Sequence, residues 1–302
     1  WWLDINCPTY LDMTELSKMF PLHPLTVEDV LQQEPREKVE TFDALGYYFV
    51  IVEGLDGKAG LEGVSVGGTN LYMIVFKHGL ITFHFEDVSK HTDRVRRRLL
   101  DSTHPAELSS DWIAHGLYDS AVDAFFPLLA FIEVEVAEIE LVTAFLSDNA
   151  QGQSKLLRRI TDARKLVTGL SRLLAPKNDA VRGLRKRLVE LRGTGAGASE
   201  MSIYMGDVLD HIVTLLAHLA ESDARLHQTH HTYLSAISLN NQQVAHSTDE
   251  ILIVLATITV AIFGMQCVLG LGSMNVEVPH NLHAEDRPPG EPPRYWWFIG
   301  IV

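Results

Sequence analysis

A mixed α/β domain followed by long helices that run into a helical membrane region is the fold class predicted for this chain of 302 residues. Three features of the sequence carry that expectation. Strand-forming runs are confined to the first hundred residues, helical periodicity takes over from Ser110, and residues 251–272 form an apolar run without a charge.

In the first region, WWLDI (1–5), LGYYFVIVEGL (45–55) and LYMIVFKHGLITFHF (71–85) are β-branched and aromatic runs interrupted by glycine, which predicts strands. HPLTVEDVLQQ (23–33) and DVSKHTDRVRRRLL (87–100) read as helices, giving a sheet covered by helices. Glu28 and Asp29 follow Thr26 at capping-box spacing, so Thr26 is expected to cap the first of these helices. Residues 110–146 predict one long helix with a kink at Pro127. Residues 154–175 and 180–191 predict further basic helices, and the glycine-rich stretches 60–68 and 192–200 predict flexible joints.

Glu200 to Gly272 holds no proline and little glycine, so the spacing predicts a single helix of more than about 100 Å at 1.5 Å per residue. A helix of that length needs partners along it, which predicts a homo-oligomer. Its last twenty-two residues, ILIVLATITVAIFGMQCVLGLG (251–272), would span about 33 Å, enough to cross a hydrocarbon core. The next stretch, 273–294, carries five prolines and reads as a short loop. YWWFIGIV (295–302) reads as the start of a second span with interfacial aromatics, inside which the chain is expected to stop. The domain reading is therefore 1–109 (α/β), 110–198 (long helices), 199–250 (stalk helix), 251–272 (first span), 273–294 (loop) and 295–302 (start of the second span). Because the chain opens at Trp1-Trp2 without an initiator Met, it reads as part of a longer protein.

A formal charge of −14 argues against nucleic-acid binding, and two cysteines, Cys7 and Cys267, make no disulfide framework. Enzyme motifs are missing: the glycine-rich Gly63–Thr69 lacks the lysine of a phosphate loop, and no His-Glu-x-x-His or paired-cysteine site occurs. His227, His230 and His231 fall within two helical turns, a spacing that can hold zinc, although a solvated helix face is the preferred reading. Glu133, Glu135, Glu138 and Glu140 read as a solvated acidic face.

Several blocks, in order along the whole chain, resemble the CorA family of magnesium channels. Gly272-Ser273-Met274-Asn275 resembles the Gly-Met-Asn tripeptide that closes the family's first span, with Ser273 in place of its glycine. Val276-Glu277-Val278-Pro279 is similar to the fungal-type branch. Pro21-Leu22-His23-Pro24-Leu25-Thr26-Val27-Glu28-Asp29 resembles an early family segment, and Tyr204-x-x-Asp207-Val208-x-Asp210-His211 and Tyr233-Leu234-Ser235 match later ones. The family's helix-interior proline in the first span corresponds here to Gly264.

The resemblance implies a homopentameric funnel with a large cytosolic N-terminal domain, two spans in lipid and an axial ion path for Mg2+. The plasma membrane is favoured over the vacuolar membrane. It also implies Mg2+ contacts at Asn275 and a regulatory site at Glu28 and Asp29, where His231 replaces the usual acidic partner. Alternating steps of four and three back from Gly270 then select Gln266, Phe263, Thr259, Ala256, Leu252 and Asp249, a heptad seam. On this reading Asp249 is a cation-binding carboxylate ring, Leu252 and Phe263 are apolar constrictions, and Ser273, Met274 and Asn275 form the outer mouth. Two alternatives stand beside it: a zinc or other transition-metal transporter on the same scaffold, and a membrane-anchored scaffold without transport.

Overall fold

The computed structural model describes residues 1–55, 67–101, 109–144, 150–192 and 196–273. Residues 60–66 of the expected joint at 60–68, residues 274–294 of the expected loop at 273–294 (Met274 and Asn275 among them), and the second-span start 295–302 lie outside the described residues. The chain divides into two compact units, Trp1–Leu234 and Ser235–Val302.

The first unit is built on five strands: β1 (Trp2–Asn6), β2 (Lys38–Phe42), β3 (Tyr47–Leu55), β4 (Gly68–Phe76) and β5 (Leu80–His84), in the order β1-β5-β4-β3-β2. β1 runs parallel to β5, and all other neighbours are antiparallel. The run 71–85 resolves into two strands because Lys77, His78 and Gly79 turn the chain between them. Seven of the nine residues in β3 from Tyr47 to Leu55 are hydrophobic and buried, which is the signature of a strand covered on both faces.

Alternation sorts those residues. Tyr47, Phe49, Ile51, Tyr72, Ile74, Ile81 and Phe83 share one core with Met13, Leu16 and Val30 of two short helices, α1 (Tyr10–Met19) and α2 (Pro24–Leu31). On the opposite face of β3, Tyr48 donates to Asp111 at 2.9 Å, and Ser110 donates to the Phe76 carbonyl at the end of β4. Both partners begin α4 (Ser110–Asp123), which packs beside α3 (Ser89–Asp101).

Three expectations are corrected. Residues 110–146 are not one helix: α4 ends at Asp123, and α5 (Phe126–Ala144) begins after Ala124 and Phe125. Pro127 lacks an N–H and its ring would clash with the Asp123 carbonyl in a continuous helix, but it fits the first turn of a new one. The joint at 192–200 is shorter than expected, because Ala196–Glu200 already belong to α7 (Ala196–Ser273); residues 193–195 lie outside the described residues. The cap of α2 is His23, whose Nδ1 accepts from Leu25 N at 3.2 Å. Thr26 lies within the helix, its Oγ1 2.9 Å from Tyr47 Oη.

The long helices pack by a heptad rule. Leu129, Ile132, Val136, Ile139 and Thr143 are the buried residues of α5. On α6 (Ala150–Arg192) the buried series runs Leu156, Ile160, Ala163, Val167, Leu170, Leu174, Lys177, Val181, Leu184 and Leu188. On α7 it runs Met201, Met205, Val208, Ile212, Leu215, Leu219, Ser222, Leu226, Thr229 and Tyr233. Every step in these series is three or four residues, and Leu173 and Ala180 are buried beside the series of α6. The acidic stretch of α5 is not merely solvated: Glu135 and Glu138 hold Arg159 of α6, Glu140 holds Arg225 of α7 at 2.6 Å, and Glu133 holds His218 at 2.8 Å.

Lys177 is the one charged residue in the α6 series, and it is fully buried. Its ammonium lies 3.0 and 3.1 Å from the two Glu37 carboxylate oxygens and also donates to the Glu53 carbonyl. Tyr118 of α4 donates to the same carboxylate at 2.8 Å. Burial pushes the Glu37 carboxyl upward, and Lys177 and Tyr118 oppose that shift. Removing one member of such a group leaves an uncompensated buried charge. Lys177→Met should therefore cost about 3–5 kcal/mol in denaturant unfolding, and adding Glu37→Gln should recover part of the loss. Additive losses would contradict the pairing.

Candidate functional site

The residues proposed to line an ion path fall on α7, in the second unit. Asp249, Leu252, Thr259, Phe263, Gln266 and Gly270 follow one another at steps of three, four or seven, so they lie along one stripe of the helix, with Ser273 at its last residue. Every residue from Ile251 to Gly270 is exposed in the single chain, including Leu252 at 54% and Phe263 at 66%. This stretch belongs to the one helix among the described residues that is long and apolar enough to cross a membrane. Its hydroxyls are satisfied by their own backbone: Thr257 Oγ1 donates to Ile253 O at 2.8 Å, Thr259 Oγ1 to Leu255 O at 2.7 Å, and Ser273 Oγ to Gly270 O at 3.0 Å. The helix continues through Gly264, where a Cβ would meet nothing within 4 Å.

The stripe can be followed toward the N-terminus of α7. Steps of three and four back from His231 reach Gln228, Ala224, Glu221, Ala217 and Thr214, all exposed. The buried series through Leu226, Thr229 and Tyr233 lies roughly opposite, since His231 is two residues, or about 200°, from Thr229. Within the first unit α7 thus has one face packed on its own chain and another left bare.

Glu28 and Asp29 lie on α2, in the first unit. Asp29 Oδ2 is 2.7 Å from the Lys38 ammonium, which also contacts Glu40 at 3.1 Å. Glu28 is exposed and accepts from Gln32 Nε2 at 3.1 Å. An ammonium therefore occupies the place beside Asp29 that a cation would take. The histidine rings at 227 and 231 meet edge to face, with centroids 4.6 Å apart, and His230 stands 6.3 Å from His231. Their ring nitrogens do not converge on one point with any third ligand among the described residues. The group that does is Asp119, Asp123 and His211, whose ligand atoms lie within 4.8 Å of one another. Sequence reasoning quoted His211 only as part of a matching block. Asp119 and Asp123 stand at i, i+4 on α4, a spacing that signals a shared face, but nothing in the sequence places His211 opposite them.

A family model described as "CorA-like Mg2+ transporter protein" matches residues 1–302, and the chain belongs to this family of ion transporters, which are not enzymes. A Schizosaccharomyces pombe protein, named as a candidate metal ion transporter, is 37% identical over 306 residues, covering 100% of this chain and 47% of its own length. Magnesium transporter ALR1 of Saccharomyces cerevisiae is 28% identical over 342 residues, covering 100% of this chain and 38% of its own. The chain therefore spans less than half the length of either curated relative. Among solved structures, full-length CmaX superposes with a TM-score of 0.64 at 17% identity, covering 99% of this chain and 84% of that one, a likeness of fold.

Because Lys38 already neutralises Asp29, an Asp29→Ala variant is expected to leave cation uptake within about twofold of the parent, its Lys38 contact being a part-exposed ion pair of small net worth. The check is uptake measured at low and high internal magnesium. Loss of uptake at both, in a protein that still assembles, would place Asp29 in the conduction path.

Proposed function

We propose that the chain carries magnesium across a membrane as a homopentamer, with the stripe from Asp249 to Gly270 facing an axial, water-filled path and Asn275 at its outer mouth. The observation that carries this reading is the bare, uncharged run on α7, whose stripe becomes small and polar toward its N-terminal end at Asp249, Ala245, Gln242, Ser238 and Ser235. A packed coiled coil would place aliphatic residues there. Residues such as Leu234, Ile237 and Leu255 are left to pack between neighbouring subunits. The name of the yeast relative, a magnesium transporter, supports the choice of cation.

In this reading residues 251–272 are the first span and residues 295–302 begin the second. Residues 1–109 and 110–198 form the cytosolic part, and 199–250 the stalk. The plasma membrane is preferred to the vacuolar one. Asp249 forms a ring of carboxylates that raises the local concentration of cations. Leu252 and Phe263 form rings that close the path by excluding water. Magnesium gives up its water slowly, so the Asn275 amide oxygens hold the hydrated ion through its shell. Thr259 offers a further oxygen between the two apolar rings, and Gln266 one between Phe263 and the mouth.

Radiolabelled or fluorimetric magnesium uptake tests the assignment. Asn275→Ala should abolish uptake without harming assembly, Asp249→Asn should weaken it less, and Leu255→Met should leave it unchanged. Normal uptake by assembled Asn275→Ala protein would remove the proposed mouth. Zinc, cobalt or nickel carried in preference to magnesium would favour the transition-metal reading.

A further inference from the structure

A cleft of about 520 Å3 lies in the first unit, between α3 and the corner where α4 gives way to α5. That volume is within the usual range for small-ligand sites. Lys90, Arg94, Arg97 and Arg98 of α3 line it, facing Ser120 and Asp123 of α4. In a chain of formal charge −14, four cations on one short stretch of helix are a local reversal of sign. Pro127 also lines the cleft, which brings the first turn of α5 to it, and that turn carries no acidic residue. Asp101, at the end of α3, is the one further carboxylate on the lining.

The cations are not all engaged. Arg94 donates to Asp123 Oδ2 at 3.1 Å and Arg98 lies 3.5 Å from Asp119 Oδ2, while Lys90 and Arg97 make no ion pair with the described residues. Behind the two paired carboxylates sits His211, its Nδ1 4.0 Å from Asp119 and 3.9 Å from Asp123. That nitrogen is closed off from solvent and has no hydrogen-bond partner. The ligand atoms of Asp119, Asp123 and His211 lie within 4.8 Å of one another, and two carboxylates this close favour a further positive charge between them.

A carboxylate pair with an unused imidazole nitrogen lies next to four cations, two of them unpaired. Magnesium alone would displace Arg94 and Arg98 and leave them without partners. A phosphate alone would face Asp123. A magnesium chelate of a phosphate chain supplies both charges at once: the metal takes the carboxylates, and the released guanidiniums take phosphate oxygens in paired hydrogen bonds. Magnesium is commonly held in this way, by one or two carboxylates, phosphate oxygens and retained waters.

We propose that this cleft binds the magnesium chelate of a di- or triphosphate, with the phosphates on Lys90, Arg94, Arg97 and Arg98 and the metal on Asp119 and Asp123. His211 Nδ1 accepts a hydrogen bond from a metal-bound water. The site does not depend on α7 conducting ions, so its test is direct binding and not transport.

The experiment is calorimetric titration of the purified full chain in detergent with Mg·ATP, with ATP in excess EDTA, with magnesium chloride alone, and with magnesium pyrophosphate as competitor. Mg·ATP should bind, EDTA should weaken binding at least about tenfold, and magnesium pyrophosphate should compete, because the phosphate chain is the shared element. Arg97→Gln removes an exposed side chain without an ion pair, and should also weaken Mg·ATP binding about tenfold, the worth of one charge-assisted contact. Asp123→Asn should reduce the difference between Mg·ATP and ATP in EDTA. Equal binding with and without EDTA, or undiminished binding by Arg97→Gln, would overturn the proposal, as would the absence of Mg·ATP binding at millimolar concentration.

Discussion

A helix that exposes twenty consecutive residues, Ile251 to Gly270, with no charged side chain among them sets the central constraint on this protein. Its backbone groups are hydrogen-bonded within the helix, and Thr257 and Thr259 turn their hydroxyls back onto it. What remains is apolar surface, each large side chain worth about 1.5–3 kcal/mol when removed from water. Under the proposed function, lipid on the outside and copies of the same helix on the inside would satisfy that demand together, because every backbone group a bilayer would leave unpaired is already paired. The oligomer and the ion path of the proposed function are built on this demand.

The first unit is held together by contacts of several kinds. Its sheet is covered on both faces, and its long helices interlock by a heptad series on α6 and another on α7. The ion pairs from α5, to Arg159 and Arg225, line the same packing with charge on its margins. Lys177 interrupts an otherwise apolar series, and its pairing with Glu37 and Tyr118 fixes which turn of α6 meets the edge strand β2. A buried polar group of this kind specifies register more clearly than it adds stability.

Much of this was legible in the sequence, for physical reasons that differ by element. The runs at 45–55 and 71–85 announced β3, β4 and β5 because strands buried on both faces are nearly continuous in apolar residues. Uninterrupted helical periodicity announced α7 to within a few residues at each end. The helix α1 was missed although Thr9 and Asp12 form a reciprocal capping box, a signal present at the right spacing. The edge strand β2, with the mixed sequence KVETF, gives no clear alternation and takes its structure from pairing with β3. The division between α4 and α5 was visible as Pro127, but the sequence did not distinguish a kink from a break. The partnerships of Lys177 with Glu37 and of His211 with Asp119 span 140 and 92 residues of chain, and no local pattern encodes such distances. Of the stripe on α7, periodicity gave the members directly, because a single helix fixes its own faces.

Cysteine accessibility along α7 tests the central claim most directly. In a background without Cys7 and Cys267, single cysteines placed in turn from Asp249 to Gly270 would be exposed to a water-soluble thiol reagent in the assembled, lipid-embedded protein. The account predicts reaction at 249, 252, 256, 259, 263, 266 and 270, and protection on the opposite face at Val254, Ala261 and Val268. A reactive stripe centred on that opposite face, or reaction without helical periodicity, would contradict it.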